Sequence, residues 1–425
     1  VKIFQNDFLK SVSVLMTGTI IAQVISYLIT PILTRIYSTE EMGELGIYLR
    51  IVGFISVLAT ARYEMSLPLP KNDSHSFLLY RVSFRIALFS LLGSAILGVI
   101  YLVFRQFGLN DVLFVFISVL SALFVVLINI GTNWSIRNKH FTKISNTRIT
   151  ASLTTNAFRW VFGVFHFGSI GLLLASLIGY ILSSISFVRE FFELIKSHKS
   201  NKSKQKTYVL LKEYKQFPSV SLPHSLVDLG SDLLIATLIV TFFSKDIFGS
   251  YSHSFAILKL PLVVIGAAIS QVFFGKCSQM VNEGKSIARL LKKTLITLFF
   301  LSIIPFTVIF FYGEELFAFV FGEKWASSGH YSEIMTIWLM TNFLVSPVSS
   351  IPMIINRQKE FFVFGITSAC IQLFSFGVLP LIWGTSDESF IAILWFASIV
   401  QAAFFVFVAF ATLYYAKLGV VNKSV

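Results

Sequence analysis

Residues 12–34 read VSVLMTGTIIAQVISYLITPILT, an apolar block bounded by Lys10 and Arg35. At 1.5 Å of rise per residue this block reaches about 35 Å as a helix, enough to cross a hydrocarbon core of about 30 Å. Working outward, blocks of the same kind recur at 44–61, 84–104, 112–130, 147–167, 170–188, 218–243, 247–274, 294–312, 331–356, 361–383 and 389–415. The expectation is an all-α polytopic membrane protein of about twelve spans with both termini on one side. The fifth block is the most polar. Composition agrees: hydrophobic residues make up 55% of the chain, charged residues 13%, mean hydropathy is +0.79, and 46 residues are Phe. A water-soluble domain could not hide that much apolar surface. The first apolar block is expected to stay as a span, being too long for a signal peptide and lacking an A-x-A exit.

The net charge of +13 suggests nucleic acid at first, but its distribution follows membrane topology. With the N-terminus inside, 27 of the 34 Lys and Arg fall in inside segments, and only Arg35, Arg105, Lys245 and Lys324 fall outside. That bias places both termini in the cytoplasm. The longest inside segment contains KSHKSNKSKQK. It reads as a solvated basic linker, residues 191–217, between six-helix lobes at 1–190 and 218–425. The outer loops are short, which argues against a membrane glycosyltransferase or polymerase needing external surface.

The halves carry a weak repeat. Tyr37-Ser38-Thr39-Glu40-Glu41-Met42-Gly43 and Phe243-Ser244-Lys245-Asp246-Ile247-Phe248-Gly249 share aromatic, Ser, polar, apolar and Gly positions at an offset of 206, and the offset also pairs Thr19 with Ser225 and Ser26 with Asp232. Six spans per half make this a parallel repeat about an axis along the membrane normal.

Five ionisable groups sit within spans, away from their ends: Arg50, Arg159, Lys259, Asp228 and Asp232. Each costs a few kcal/mol facing lipid, so each is expected to meet a cavity or a partner. Spacing sorts them onto faces. Ser221, Ser225, Asp228 and Asp232 fall on one face of their helix, Thr19, Gln23, Ser26 and Thr30 on one face of another, and Arg148, Ser152, Thr155 and Arg159 on one face of a third. A single Ser or Thr in a span is ordinarily a packing or back-bonded residue. The stripes that hold Arg159 or the two Asp are expected to line a polar cavity. Arg50 and Lys259 have no clear stripe and could snorkel to an interface. His166, His224 and His253 read as interfacial or hydrogen-bonded groups. Three cations against two carboxylates, with Arg62 and Arg148 at the inner mouth, favour an anionic ligand such as a phosphate bound by Arg50, Arg159, Lys259, Arg62 and Arg148. Asp228 and Asp232, one turn apart, are expected to couple transport to a proton or sodium ion, or to pair with a cation such as Lys259. A sodium ion at these two residues is the only metal expected. Pro31, Pro261, Pro347 and Pro352 are expected to interrupt spans 1, 8 and 10 as hinges. No nucleotide-binding loop is present, and Cys277 and Cys370 fit neither a metal site nor a disulfide framework. No cofactor, no nucleic-acid partner and no catalytic residue are expected.

ILTRIYSTEEMGELGIY, ARYEMSLPLPKND, YSHSFAILKLPLVVIGAAISQVFF, FGEKWASSGHYSEIM and SPVSSIPMIINRQKE resemble bacterial oligosaccharide flippases of the Wzx type, in the multidrug/oligosaccharidyl-lipid/polysaccharide exporter superfamily. The resemblance implies a V-shaped exporter fold of two six-helix lobes around a largely cationic cavity. It also implies the substrate, an undecaprenyl-diphosphate-linked oligosaccharide moved from the inner to the outer leaflet of the bacterial cytoplasmic membrane. That step serves O-antigen, lipopolysaccharide or capsule synthesis, alongside a polymerase and other assembly proteins. The rival readings are a cation-coupled multidrug exporter of the same superfamily and a membrane enzyme of polysaccharide assembly. The first would need acidic residues to dominate the cavity. The second would need a paired external acid and base.

Overall fold

A computed structural model describes residues 2–104, 108–197, 204–349, 351–355 and 357–418. Arg105, Lys199, Lys202 and Lys423 of the charge pattern, and with them linker residues 198–203, lie outside the described residues. Among the described residues the regular elements are all helical: α1 Lys2–Ile36, α2 Thr39–Thr60, α3 Asp73–Phe104, α4 Leu109–Arg137, α5 Phe141–Val164, α6 Gly168–Ser197, α7 Lys204–Glu213 and α8 Leu222–Phe242. Then come α9 Lys245–Pro261, α10 Ala267–Asn282, α11 Ala288–Phe321, α12 Ala326–Val345, α13 Ile351–Ile354, α14 Gln358–Gly377, α15 Leu379–Trp383 and α16 Asp387–Leu418.

Ten helical stretches among the described residues are long and apolar enough to cross a membrane. The other two expected spans coincide with α5 and α12, helices of 24 and 20 residues that are too polar to join the ten by composition. Neither stands alone. α5 packs between α1 and α6, and α12 packs against α9, α11 and α16, so each has neighbours to cover its polar face.

The prolines act unequally. Pro31 does not interrupt α1, which runs unbroken to Ile36 and so corrects the expected hinge there. Pro261 stands where α9 gives way to a π turn over Leu262–Gly266, and Pro347 and Pro352 lie in the short helical pieces after α12. A proline removes one backbone donor and clashes one turn back, which a helix end tolerates best. A further break falls in α11 at Tyr312, whose φ of −135° leaves the helical range. The freed backbone N–H of Glu314 beyond it donates to the Glu333 carboxylate of α12 at 3.0 Å.

The helices pack as two units. The first holds the chain up to Tyr37 together with Glu44–Leu233, so it ends inside α8, beyond the basic linker. Its layers are α1 on α5, α5 on α6, α6 on α4 and α4 on α3. Tyr80, Trp134 and Phe191 lock α3, α4 and α6 together, with ring centroids 5.5 and 5.8 Å apart. The second unit holds Ser38–Gly43 and the chain from Leu234 onward. There α12 is central, and Trp325, Trp338, Phe248, Phe343, Phe376 and Phe390 are fully buried. His253 is part of this aromatic core, 4.6 Å from Phe321 and 4.5 Å from Trp325, rather than interfacial. In both units the outward faces carry large apolar residues such as Phe89, Leu97, Ile304 and Leu381, as a lipid solvent requires.

The repeat has a structural meaning. Ser38 and Ser244 each cap the helix that follows, their hydroxyls accepting from the N–H of Glu41 and Ile247. Within the second unit the two helix starts then cross at their glycines. A Cβ on Gly43 would lie 2.2 Å from the Lys245 carbonyl oxygen, and one on Gly249 would lie 1.9 Å from the Thr39 carbonyl oxygen. The offset of 206 exchanges these two contacts, as a two-fold axis would. The Thr39 hydroxyl donates to Asp246 across the crossing.

Candidate functional site

The charged residues of α2 and the start of α8 meet in the first unit. Arg50 Nε stands 3.2 Å from Asp232 Oδ2, and its Nη1 donates to the Gly46 carbonyl at 3.0 Å. At the far end of α2 the chain turns left-handed at Ala61 and Arg62, with φ of 49° and 61°. That turn swings the Arg62 side chain onto α8. Its Nε and Nη2 donate to the Ser225 hydroxyl at 3.0 and 2.7 Å, and Nη1 lies 3.6 Å from Glu64 Oε1. Ser225 and Asp232 are seven residues apart, about 10 Å along α8. The α8 stripe is therefore read by two guanidiniums at two heights. Ser221 contributes its carbonyl, which accepts from Ser225, and Asp228 lies 3.5 Å from His224 on its own helix.

This arrangement bears on three points of the sequence reading. Asp228 and Asp232 are not a buried carboxylate pair: their side chains are 66% and 47% exposed, and each faces a different basic partner. Arg50 has no acid adjacent in sequence, and its partner lies 182 residues away. Asp232 pairs with Arg50 and not with Lys259, whose ammonium stands 4.0 Å over the Phe255 ring one turn back on α9.

Glu64 escaped the sequence reading. It sits in a short 3-10 turn after α2, 2% exposed, behind Arg62. Burial pushes its carboxyl above the usual range and the Arg62 guanidinium opposes that rise. The Arg and Glu of Ala61-Arg62-Tyr63-Glu64 hint at it, but only the left-handed turn at Ala61 and Arg62 brings Glu64 inward.

The stripes of α1 and α5 face each other, and they act as glue. Ser152 donates to the Ala22 carbonyl at 2.6 Å and lies 3.0 Å from the Ser26 hydroxyl. Asn156, 3% exposed and also missed in the sequence, donates to Ser26 at 3.1 Å and to the Ser152 carbonyl at 2.8 Å. Arg148 donates to Thr19, Ser145 to the Val14 carbonyl, and Thr30 back-bonds to the Ser26 carbonyl. Thr155 presses on Gly179 of α6, while Gln23 is half-buried on α1. Ser26, Ser152 and Thr155 thus line a helix contact rather than the expected wet cavity.

Arg159 ends the α5 stripe. Its Nη2 donates to Ser176 of α6 at 3.0 Å, and its shielded Nε has no partner. Its backbone carbonyl accepts from the Tyr37 hydroxyl at 2.7 Å. Among the described residues no carboxylate pairs with it. A guanidinium offers five donors, so Arg159 keeps capacity for an anionic oxygen. No group of three or more His, Cys, Asp or Glu side chains placed to hold a metal occurs among the described residues.

Residues 32–330 match the family described as "Polysaccharide biosynthesis protein". No curated protein sequence matches the chain. Among solved structures, the lipid II flippase MurJ in an inward closed conformation is similar over 95% of this chain and 89% of its own, with a TM-score of 0.70 at 16% identity. An inward-facing multidrug resistance MATE family transporter of the MOP superfamily is similar over 95% and 96%, with a TM-score of 0.66 at 12% identity. A MOP superfamily transporter from Pyrococcus furiosus, described as having a binding pocket of reverse polarity, covers 97% and 94% with a TM-score of 0.54 at 11% identity. At such identities the likeness is one of fold. On the match over residues 32–330, the chain belongs to the polysaccharide biosynthesis protein family, and it has the fold of the MOP superfamily transporters and flippases.

Proposed function

We propose that the chain is a flippase for lipid-linked oligosaccharides, carrying an undecaprenyl-diphosphate-linked repeat unit from the inner to the outer leaflet of a bacterial cytoplasmic membrane. It is a transporter and not an enzyme in this reading, with both termini cytoplasmic, and it serves O-antigen, capsule or related polysaccharide assembly beside a polymerase. The observation that carries the reading is the basic character of the polar positions in a chain of this family. Arg50 meets the half-exposed Asp232, Arg62 the Ser225 hydroxyl with buried Glu64 behind it, and Arg159 the Ser176 hydroxyl; the hydroxyls and Asp232 are partners that a diphosphate can replace. Asp232 would then be freed by substrate and take up a proton or sodium ion, which links loading to the ion gradient, with Asp228 as its neighbour on the same face. Lys259 adds positive charge within its span and Arg148 at the inner mouth.

The test is reconstitution into liposomes with a fluorescent lipid-diphosphate oligosaccharide and a membrane-impermeant quencher. The wild type should expose the inner-leaflet probe faster than protein-free liposomes, Arg62→Gln should slow it, and Asp232→Asn should remove its dependence on a pH or sodium gradient. No acceleration by inserted, folded protein would refute the reading. Unaltered gradient dependence in a variant with both Asp changed to Asn would refute the coupling.

A further inference from the structure

The stretch between the lobes, expected as a solvated linker, contains a docked helix. From Lys196 to Gln216 the sequence holds seven Lys against one acid, Glu213. Its second half is α7 and a turn, in which the Tyr214 N–H returns to the Leu210 carbonyl at 2.9 Å. One face of α7 packs on α3, with Leu210 buried and Thr207 and Leu211 half-buried. The Leu211 carbonyl also accepts from the Tyr63 hydroxyl at 3.2 Å, in the short turn after α2. The opposite face carries Gln205, Tyr208, Val209 and Lys212 in steps of three and four, and it is open among the described residues. Tyr208 and Val209 are 70 and 61% exposed there, and Lys212 and Lys215 are exposed beside them.

Level and charge point to what meets that face. Tyr63 stands three residues beyond the apolar helix Thr39–Thr60, and Phe217 opens the apolar stretch Phe217–Phe242 four residues after α7. Held to the first through Leu211 and joined to the second by its own chain, α7 lies where two spans end and hydrocarbon gives way to headgroups. An apolar pair flanked by lysines at that level is the pattern of an interfacial helix, with ring and methyl groups at the acyl boundary and ammonium groups on phosphates. A nucleic acid or an acidic protein segment would satisfy the lysines and leave Tyr208 and Val209 without apolar neighbours. A neutral lipid would satisfy that pair and leave the lysines. The run of lysines places the helix at the cytoplasmic leaflet, whose lipids carry anionic headgroups.

We propose that α7 lies on the inner leaflet and gathers anionic phospholipids, with Lys212 and Lys215 on their headgroups and Tyr208 and Val209 at the acyl boundary. The inference goes beyond the flippase reading and does not depend on it. It gives the Tyr63 to Leu211 hydrogen bond a consequence: lipid held against α7 steadies, through that bond, the turn that carries Arg62 and Glu64.

The experiment uses the full chain with Val209→Cys carrying a nitrobenzoxadiazole fluorophore, in a Cys370→Ser background, Cys277 being buried. The protein is placed in nanodiscs of phosphatidylcholine and phosphatidylglycerol, and in matched samples an equal mole fraction of one lipid or the other bears a quenching nitroxide high on its acyl chain. Both should quench, because Val209 touches the bilayer, and phosphatidylglycerol should show a local enrichment of at least about fivefold, as attraction of headgroups to nearby lysines produces. Adding the pair Lys212→Gln with Lys215→Gln should bring the two lipids close to parity. The same fluorophore on Leu97→Cys, 67% exposed on the apolar face of α3, should be quenched by the two lipids equally. Absence of quenching at Val209 would turn this face of α7 to water or to another macromolecule and overturn the proposal. Equal quenching by the two lipids at Val209, a preference that survives loss of both lysines, or the same preference at Leu97 would each overturn the anionic seat.

Discussion

Replacing Gly249 by Ala places a methyl group 1.9 Å from the Thr39 carbonyl oxygen, 2.8 Å from its carbon and 3.0 Å from the Gly43 nitrogen. All three are backbone atoms, so no side chain can swing aside. The starts of α2 and α9 must part by about 1 Å to reach even a tight contact, and overpacking of this kind costs about 1–3 kcal/mol or more. Parting also strains the Thr39 to Asp246 hydrogen bond beside it. Gly43→Ala meets the Lys245 carbonyl oxygen at 2.2 Å and should cost a similar amount. Gly53→Ala is the control: its Cβ meets nothing within 4 Å in the middle of α2, and it should gain up to about 1 kcal/mol of helix propensity. The expected gap between Gly249→Ala and Gly53→Ala is thus about 2–4 kcal/mol in equilibrium unfolding in mixed micelles, followed by tryptophan fluorescence. The double Gly43→Ala, Gly249→Ala variant should cost less than the sum, because the first methyl group already opens the crossing for the second. Unfolding of both single variants within about 0.5 kcal/mol of wild type, the usual range for an unconstrained surface change, would refute the reasoning.

Two other outcomes follow from the charged turn and the α2 to α8 pair. A carboxyl raised above its ordinary 4.5 keeps its proton in the folded chain after the unfolded chain has released it, so Glu64 removes stability as pH climbs from 4.5 through its folded value. Glu64→Gln should therefore raise the unfolding midpoint at neutral pH and change nothing well below 4.5; a less stable variant at neutral pH would mean that the Arg62 ion pair outweighs burial. For Arg50 and Asp232, a double-mutant cycle should give a coupling of about 1 kcal/mol, and the exchanged pair Arg50→Asp with Asp232→Arg should recover part of the stability lost by either single change. Zero coupling with no recovery would dissolve the pair.

The sequence discloses the helices well because a bilayer leaves little choice: apolar blocks of 20 residues and basic loops are read directly. The repeat was legible too, since Gly43 and Gly249 share a capped helix start and the crossing needs both. What the polar stripes meant was not legible. Periodicity places Ser26 and Ser152 on faces of α1 and α5, but a face toward water and a face toward another helix have the same spacing. Only the position of α1 against α5 decides between them. Asp232 and Arg50 illustrate a second limit, as a pair with five helices between its members leaves no local trace. The breaks follow the same logic: Pro31 and Pro261 look alike in sequence, yet only the second falls where its helix can end.

The polar seam of α5 also bears on how the chain reaches the membrane at all. Read alone by an insertion machinery, a helix carrying Arg159 inside its span faces a penalty of up to about 2.5–3.5 kcal/mol for that charge. That penalty falls once Arg159 rests on Ser176 and Thr155 on Gly179, both contributed by α6, three residues beyond the end of α5. These contacts favour entry of α5 and α6 into the lipid together, as a hairpin. Arg148 and Ser152, waiting for Thr19 and Ala22, further require that α1 still be close at that moment. A stalled chain ending before α6 should then leave α5 at the membrane surface.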